Sequence, residues 1–145
     1  MKIAFDVHGV LDSLKEYRIL MRELFNAKHT IYIISGQPLD KEMKEFLEEY
    51  HLHTCYHFYL SVEDYLMDRD VPYTQDGKGG KHFADEYWNH VKAEICTIHK
   101  VDMIFDDSPV YAEYFKNIPT VFSLVIDKTQ SLTEFVRSRT VDERR

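Results

Sequence analysis

Three apolar runs in this sequence end in side chains that could do chemistry. Asp6 follows "IAF", Ser35 and Gly36 follow "TIYII", and Asp106 and Asp107 follow "VDMIF". In an open parallel sheet the active crevice lies beyond the carboxyl ends of the strands, so parallel strands would bring these side chains together. Carboxylates that meet there repel one another unless a cation lies between them. A hard divalent cation with oxygen ligands, by default Mg²⁺, is therefore expected at this edge.

The elements that must position these residues begin with a strand, a helix and a second strand. Residues 3–7 and 30–34 are apolar or β-branched enough for buried strands of a parallel sheet. Between them, six apolar residues recur at helical spacing: Leu14, Tyr17, Leu20, Met21, Leu24 and Phe25. This order predicts a βαβ unit.

The alternation of strands and helices continues along the chain. The remaining predicted elements are a helix over 38–52, a strand over 54–60, a short helix over 61–70, a glycine-rich loop over 71–81, a helix over 82–100, a strand over 101–107, a helix from Ser108, a strand over 120–126 and a C-terminal helix from about Ser131. They predict a doubly wound, Rossmann-like α/β fold, a three-layer sandwich with a central parallel sheet of about five strands. We expect a single domain over 1–145 with a small lid or insertion around 62–82.

Composition limits the classes of function. The chain has 145 residues, of which 44% are hydrophobic and 30% charged, with a formal net charge of −7. This balance is typical of a globular protein and argues against a general duplex-binding surface, although nucleic acid is not excluded as a substrate. No apolar stretch approaches the ~20 residues that span a bilayer, so we expect a cytoplasmic protein without a membrane partner. Cys55 and Cys96 lack metal-binding spacing and are interpreted as reduced, buried side chains.

Four segments carry a family resemblance. "FDVHGVLD", "IYIISGQ", "VKAEIC" and "IFDDS" resemble, in order, the four motifs of the haloacid dehalogenase superfamily, most of whose members are magnesium-dependent phosphatases. The match spans nearly the whole chain, and four ordered motifs are far more specific than any one of them. The resemblance implies a HAD-like fold, a phosphorylated substrate and Mg²⁺ as the cofactor.

The resemblance also implies roles for individual residues. Asp6 would be the nucleophile that takes the phosphoryl group as an aspartyl-phosphate. Ser35 and Gly36 would bind the phosphoryl oxygens, and Lys92 would neutralise the charge shared by Asp6 and the phosphate. Other lysines also precede the fourth strand, and Lys92 is preferred for its distance ahead of "IFDDS"; the alternatives are Lys78, Lys81 and Lys100.

The metal ligands implied by the resemblance are the side chains of Asp6, Asp106 and Asp107 and the backbone carbonyl of His8. Asp106 and Asp107 have a simpler interpretation as acids at the start of a helix, where Ser108 is well placed as the N-cap. With Asp6 present in the same pattern, the metal site is the preferred interpretation.

His8 is the departure from the family pattern. The usual first motif has an aspartate at this position, which protonates the leaving oxygen and then activates the water. A histidine can do both, because its reference pKa is close to neutral pH. Three hypotheses follow: a working phosphatase with His8 as the acid and base, a slow or altered phosphotransfer enzyme, and a catalytically idle domain that binds metal or phosphate.

The predicted site is open. The segment between Asp6 and Ser35 has room for one helix only, so a large cap is absent, and open sites tend to serve larger substrates or to borrow a lid from a second subunit of a homo-oligomer. The "GKGGK" segment lacks the full phosphate-loop pattern and is interpreted as a flexible lid. Four side chains near this lid could stack on the base of a nucleotide or a nucleic-acid end, unless the last two pack their helix on the core: Tyr73, His82, Tyr87 and Trp88.

Overall fold

The computed structural model describes residues 1–127. Seven strands occur in this range: β1 (Lys2–Phe5), β2 (Thr30–Ser35), β3 (Phe58–Ser61), β4 (Thr74–Gln75), β5 (Lys81–His82), β6 (Met103–Asp106) and β7 (Val121–Leu124). Five of them form one sheet in the order β3-β2-β1-β6-β7, and every pairing in it is parallel. The predicted α/β fold with a central five-stranded parallel sheet is confirmed.

The helices connect these strands as the apolar periodicity predicts. They are α1 (Lys15–Asn26), α2 (Lys41–Glu49), α3 (Val62–Met67), α4 (Asp85–Trp88), α5 (Val91–His99) and α6 (Pro109–Ala112), the last followed by a 3₁₀ turn over Glu113–Phe115. Side chains at the N-caps set the starts of two helices: Asp40 accepts a hydrogen bond from the Met43 N–H, and Ser61 accepts one from the Asp64 N–H.

The two faces of the sheet bury two apolar layers. Alternate residues of β1 point to opposite faces, so Phe5 packs with α1 and α2 in a layer that includes Met21 and Leu47. Ala4 faces the other layer, where it packs with residues of α3 and α5 such as Leu66. The sheet is therefore covered on both faces, which gives the three-layer arrangement and explains why its strands are nearly continuous apolar runs.

The strand register brings the chemistry-bearing residues to one edge. Phe5 of β1 lies opposite Phe105 of β6, and the Asp6 N–H donates to the Phe105 carbonyl at 3.0 Å. Asp6 and Asp106 are therefore neighbours at the carboxyl ends of adjacent strands. Ser35 ends β2 on the other side of β1. The predicted convergence of these residues at the edge of a parallel sheet is confirmed.

The glycine-rich segment forms a hairpin rather than an irregular loop. β4 and β5 pair antiparallel around a turn in which Asp76 Oδ1 accepts hydrogen bonds from the N–H groups of Lys78 (2.8 Å) and Gly80 (2.9 Å). An ion pair of 3.3 Å between Lys81 and Glu63 joins the hairpin to α3. The segment around 62–82 therefore consists of a short helix and a small hairpin.

Several predicted elements are shorter than expected, such as the helix over 38–52, which covers Lys41–Glu49, and two others differ in ways that have a structural cause or change the connectivity. The helix expected over 82–100 is interrupted between α4 and α5, and no proline or glycine marks this break in the sequence. The strand expected over 54–60 covers only Phe58–Ser61, because a turn in which the Cys55 N–H donates to the Leu52 carbonyl precedes it. The C-terminal helix predicted from about Ser131 lies outside the described residues. Among residues 1–127, no helix is long and apolar enough to cross a bilayer.

Candidate functional site

Three carboxylates converge at the carboxyl edge of the sheet. One oxygen from each of Asp6, Asp106 and Asp107 lies within 4.8 Å of the other two. Asp6 is 6% exposed and Asp106 is fully buried, whereas Asp107 is half-buried. Clustered oxygen ligands of this kind suit a hard cation such as Mg²⁺ better than a softer metal. The cluster could therefore hold a metal ion.

Lys92 of α5 lies between two of these acids. Its Nζ is 2.7 Å from Asp106 Oδ2 and 3.0 Å from Asp6 Oδ1, and its side chain is buried. The other oxygen of Asp106 accepts a hydrogen bond of 2.9 Å from the Ser108 N–H. Three carboxylates and one ammonium group leave a formal charge of −2, which one divalent cation would balance.

The protonation equilibria of this cluster depend on burial and charge together. Burial raises the pKa of Asp6 to about 7, with Lys92 opposing the shift and the charges of Asp106 and Asp107 adding to it. Burial alone would lower the pKa of Lys92, but the charges of Asp106 and Asp6 raise it above its usual value. Lys92 therefore remains a cation at neutral pH, and a bound metal ion would favour the ionised form of Asp6.

The first turn after β1 orients the Asp6 carboxylate. Asp6 Oδ1 accepts from the Val7 N–H at 2.9 Å as well as from Lys92, so two donors hold the same oxygen. Both of these donors lie on Oδ1, and neither of them occupies Asp6 Oδ2. The chain then makes a wide turn over Val7–Leu11, in which Gly9 has a φ of +83°.

Gly9 is a site residue that sequence reasoning missed. A Cβ built on its backbone would lie 2.0 Å from Asp107 Oδ2, so the carboxylate can occupy its position only because Gly9 has no side chain. The positive φ is a second reason for glycine at this position. The available signal was the glycine itself, which lies three residues after Asp6 in "FDVHGVLD".

The turn after β2 contains Ser35 and Gly36, and Gly36 lies against the indole of Trp88. Ser35 is fully buried, and its Oγ accepts a hydrogen bond of 3.3 Å from the Gln37 N–H. The hydroxyl of Tyr59 donates to the Gln37 carbonyl at 2.7 Å and supports the turn from β3. A Cβ at Gly36 would lie 2.8 Å from Cζ2 of Trp88, so this glycine permits the indole to lie against the turn.

His8 projects from the turn after β1 and is exposed. Its Nδ1 lies 3.2 Å from Asp12 Oδ2 and its Nε2 lies 3.0 Å from Gln37 Oε1. The amide nitrogen of Gln37 donates to both oxygens of Asp40 at 3.0 Å, which leaves Oε1 as the group that faces the ring. Both ring nitrogens therefore face acceptors, an arrangement that fits the doubly protonated ring.

The pKa of His8 follows this geometry. Partial burial would lower the pKa, but hydrogen bonds to Gln37 and Asp12, together with the charges of Asp12 and Asp6, raise it above its ordinary value. Sequence reasoning did not anticipate that Gln37 and Asp12 contact the ring. The contact between Asp12 and the His8 ring had one indication in the sequence, which is that Asp12 lies four residues after His8.

Trp88 packs against the protein rather than presenting a free face. Its ring centroid is 5.9 Å from that of Phe83, and its Nε1–H donates to the Tyr111 hydroxyl at 2.9 Å. The ring of Tyr111 in turn has its centroid 5.2 Å from Lys92 Nζ. Of the four side chains proposed to stack on a base, Trp88 thus fits the packing alternative. Tyr73 and Tyr87 remain exposed.

The fold and the site together define a Rossmann-like α/β protein with a cluster of acids at the carboxyl edge of its parallel sheet. No family model matches the sequence, and no curated protein matches it.

Solved structures with a similar fold were found. One is a chain in the structure of the Pnkp1/Rnl/Hen1 RNA repair complex, with 13% identity and a TM-score of 0.51, covering 86% of this chain and 42% of that chain. Another is an uncharacterized protein from Corynebacterium glutamicum, with 15% identity and a TM-score of 0.50, covering 96% and 94% of the two chains. The chain thus spans less than half of the RNA repair protein. At these identities the likeness concerns the fold alone.

Proposed function

We propose that this chain is a magnesium-dependent phosphomonoester hydrolase of the haloacid dehalogenase type, which acts through an aspartyl-phosphate on Asp6. The observation that carries the proposal is the position of Asp6. Its carboxylate is buried at the carboxyl end of β1, contacts Lys92, and shares a cluster with Asp106 and Asp107. A nucleophilic carboxylate, a buried cation and a candidate metal site thus occur within a few ångströms of one another.

In the first half of the reaction, a carboxylate oxygen of Asp6 attacks the phosphorus of the substrate. A new P–O bond forms to Asp6, and the bond between phosphorus and the leaving oxygen breaks. His8, in its protonated form, donates a proton to that leaving oxygen. Lys92 and the Ser35 hydroxyl stabilise the charge on the phosphoryl oxygens during the transfer. The products are the dephosphorylated alcohol and the aspartyl-phosphate.

In the second half, a water molecule attacks the phosphorus of the aspartyl-phosphate. His8 is now neutral and takes a proton from this water, while the bond between the Asp6 oxygen and phosphorus breaks. Inorganic phosphate leaves, Asp6 returns to its carboxylate, and His8 is again protonated. His8 thus acts as the acid in the first half and as the base in the second half.

Magnesium would be held by the carboxylates of Asp6, Asp106 and Asp107, with the backbone carbonyl of His8 as a further ligand implied by the family resemblance. The donor set fits, because all three side chains offer carboxylate oxygens and the cluster carries a net negative charge. When bound, the ion supplies positive charge that offsets the negative charge of the transferring phosphoryl group.

A non-catalytic domain that binds metal or phosphate is the second candidate. One observation favours it: both nitrogens of the His8 ring are engaged, by Asp12 and by Gln37. A histidine that never leaves these partners would not deliver a proton to a substrate. This candidate predicts magnesium binding without phosphate release.

The experiment is a screen for phosphate release in the presence of magnesium. The panel contains p-nitrophenyl phosphate, phosphorylated metabolites, nucleotides, and oligonucleotides with a phosphate at the 3′ or the 5′ end. RNA ends are included because one structural neighbour comes from an RNA repair complex. We expect phosphate release from at least one substrate, and none when magnesium is removed with a chelator.

Two variants complete this experiment. Asp6→Asn removes the nucleophile and should abolish turnover, whereas Asp68→Asn changes an exposed aspartate at the end of α3 and should leave it unchanged. Turnover that survives Asp6→Asn would overturn the assignment of the nucleophile. A protein that binds magnesium but releases phosphate from no member of the panel would support the second candidate.

A further inference from the structure

Lys92 is held on two sides by acids and on another by an aromatic ring. Two of its N–H groups are directed to Asp106 and Asp6, at 2.7 Å and 3.0 Å. The centroid of the Tyr111 ring lies 5.2 Å from Nζ, within the range of a cation–π contact. The lysine side chain is long and flexible, so the position of its ammonium depends on these neighbours.

Tyr111 is itself held by a specific hydrogen bond. Its hydroxyl accepts from the Trp88 Nε1–H at 2.9 Å, and both side chains are partly buried. Trp88 is fixed in turn by Phe83 and by the backbone of Gly36, where a Cβ would lie 2.8 Å from the indole. The chain of contacts therefore runs from the turn after β2 through two aromatic rings to the lysine beside Asp6.

We propose that Tyr111 is a positioning residue that sets the location of the Lys92 ammonium beside Asp6, and that the Trp88 N–H holds Tyr111 in place. Its effect on catalysis rests on the function proposed above. During phosphoryl transfer Lys92 must follow the negative charge from the Asp6 carboxylate to the phosphoryl oxygens. Because a hydrogen bond fixes the Tyr111 ring, the ring limits the Lys92 ammonium to positions from which it can contact both the Asp6 carboxylate and the phosphoryl oxygens.

A role in packing alone makes a different prediction. Trp88 and Tyr111 pack against an apolar layer of the core, so shortening either side chain should lower stability in any case. Only the positioning role requires that the hydrogen bond between them, rather than their volume, affects the lysine. Variants that keep an aromatic ring and remove one partner of the hydrogen bond separate the two roles.

A spectroscopic experiment tests the contacts without reference to activity. Trp88 is the one tryptophan of the sequence, so its indole N–H gives a single resonance in a proton–nitrogen correlation spectrum. Tyr111→Phe should shift this resonance and speed its exchange with water. Lys92→Met should also shift the indole resonance, because the change at Lys92 is transmitted through the Tyr111 ring. If Lys92→Met does not fold, Lys92→Arg takes its place in the experiment. An indole resonance that is unmoved in the folded lysine variant would overturn the proposal.

Kinetics test the consequence for catalysis. With magnesium at saturation, Tyr111→Phe and Trp88→Phe should each lower kcat several-fold, with KM changed by less than about twofold, because the effect is on phosphoryl transfer rather than on binding. The double variant should be no worse than the poorer single variant, since both changes remove the same hydrogen bond. Tyr114→Phe, which alters an exposed tyrosine of the 3₁₀ turn, is the matched control.

The outcomes separate this proposal from the proposed function. If the wild type releases no phosphate from any substrate, the proposed function fails, and the indole resonance still decides whether Lys92, Tyr111 and Trp88 are coupled. The wild type could instead be active while Tyr111→Phe and Trp88→Phe keep its kcat and lose only melting temperature. That result would show that the two residues only pack, and it would overturn the proposal. Losses in kcat that multiply in the double variant would also overturn the proposal.

Discussion

The carboxylate of Asp107 occupies the space that a side chain at Gly9 would need, since a Cβ at Gly9 would lie 2.0 Å from Asp107 Oδ2. The two residues belong to turns that follow different strands, β1 and β6, and the parallel pairing of these strands brings the turns together. The geometry of the acidic cluster therefore depends on a residue that carries no functional group.

Replacing Gly9 with alanine should disrupt the cluster. The new Cβ would displace the Asp107 carboxylate, and alanine disfavours the positive φ at this position. We expect a loss of about 1–2 kcal/mol from the backbone alone, with a further loss from the clash. The change should also abolish any stabilisation by magnesium, measured as the shift of the melting temperature.

Gly79→Ala is the matched control for this prediction. Gly79 has a similar φ of +81°, but a Cβ there would meet nothing within 4 Å. This variant should lose a similar amount of stability through its backbone and keep the magnesium shift. Equal magnesium shifts in the two variants would show that Gly9 does not set the position of Asp107 at a metal site.

Magnesium should stabilise the folded protein. Like charges on Asp6, Asp106 and Asp107 destabilise the metal-free fold, and a cation that binds the folded state removes this cost. Linkage gives roughly 1.4 kcal/mol at a concentration ten times the dissociation constant, or a few degrees in melting temperature. A wild-type melting curve that does not move well above millimolar magnesium would contradict both the metal site and the phosphatase.

The variant Asp107→Asn should keep or gain stability without metal but lose the response to magnesium. Without metal its stability should equal or exceed that of the wild type, because one repelling charge is removed. The magnesium shift and the phosphatase activity should both be lost. Melting curves with and without magnesium measure the stability and the magnesium shift of this variant. Calcium is tested as a second cation, and Asp68→Asn is the matched control variant. Retention of the full magnesium shift would exclude Asp107 as a ligand.

His8 should be needed for turnover but not for metal binding. His8→Ala should lower kcat by about 10² to 10⁴-fold, the usual contribution of a general acid or base. His8→Asp restores the residue that the family resemblance leads one to expect and should retain or raise activity. His53→Ala, a change at another exposed histidine, is the control. An unchanged rate in His8→Ala would require a different proton donor and would weaken the catalytic proposal.

The two cysteines should differ in reactivity. Burial raises the pKa of Cys96 to about 12, so at pH 8 very little of this thiol is the reactive thiolate. Cys55 is half-buried. Alkylation followed by mass spectrometry at pH 8 should modify Cys55 first and Cys96 only when the protein unfolds, and Cys96 labelling should become faster as the pH rises. Equal rates in the native protein would show that Cys96 is accessible.

Much of the fold was predictable because its signals are local. The apolar runs and the helical spacing of residues such as Leu20 and Leu24 record which side of each element is buried, and neighbouring residues alone determine these patterns. The convergence of Asp6, Ser35 and Asp106 followed from one general rule, that parallel strands end at a common edge. The hairpin at Asp76 was missed because its turn depends on side chain to backbone hydrogen bonds that a glycine-rich composition does not specify.

The sequence by itself determined the order of strands and helices and the acids that follow them, since both depend on residues close together in the chain. Only the tertiary structure decided that Gly9 makes room for Asp107, that Gln37 contacts His8, and that Tyr111 covers Lys92. These contacts join residues from different turns and helices. Their distances depend on strand register and on how each helix packs across the sheet, which local periodicity does not encode.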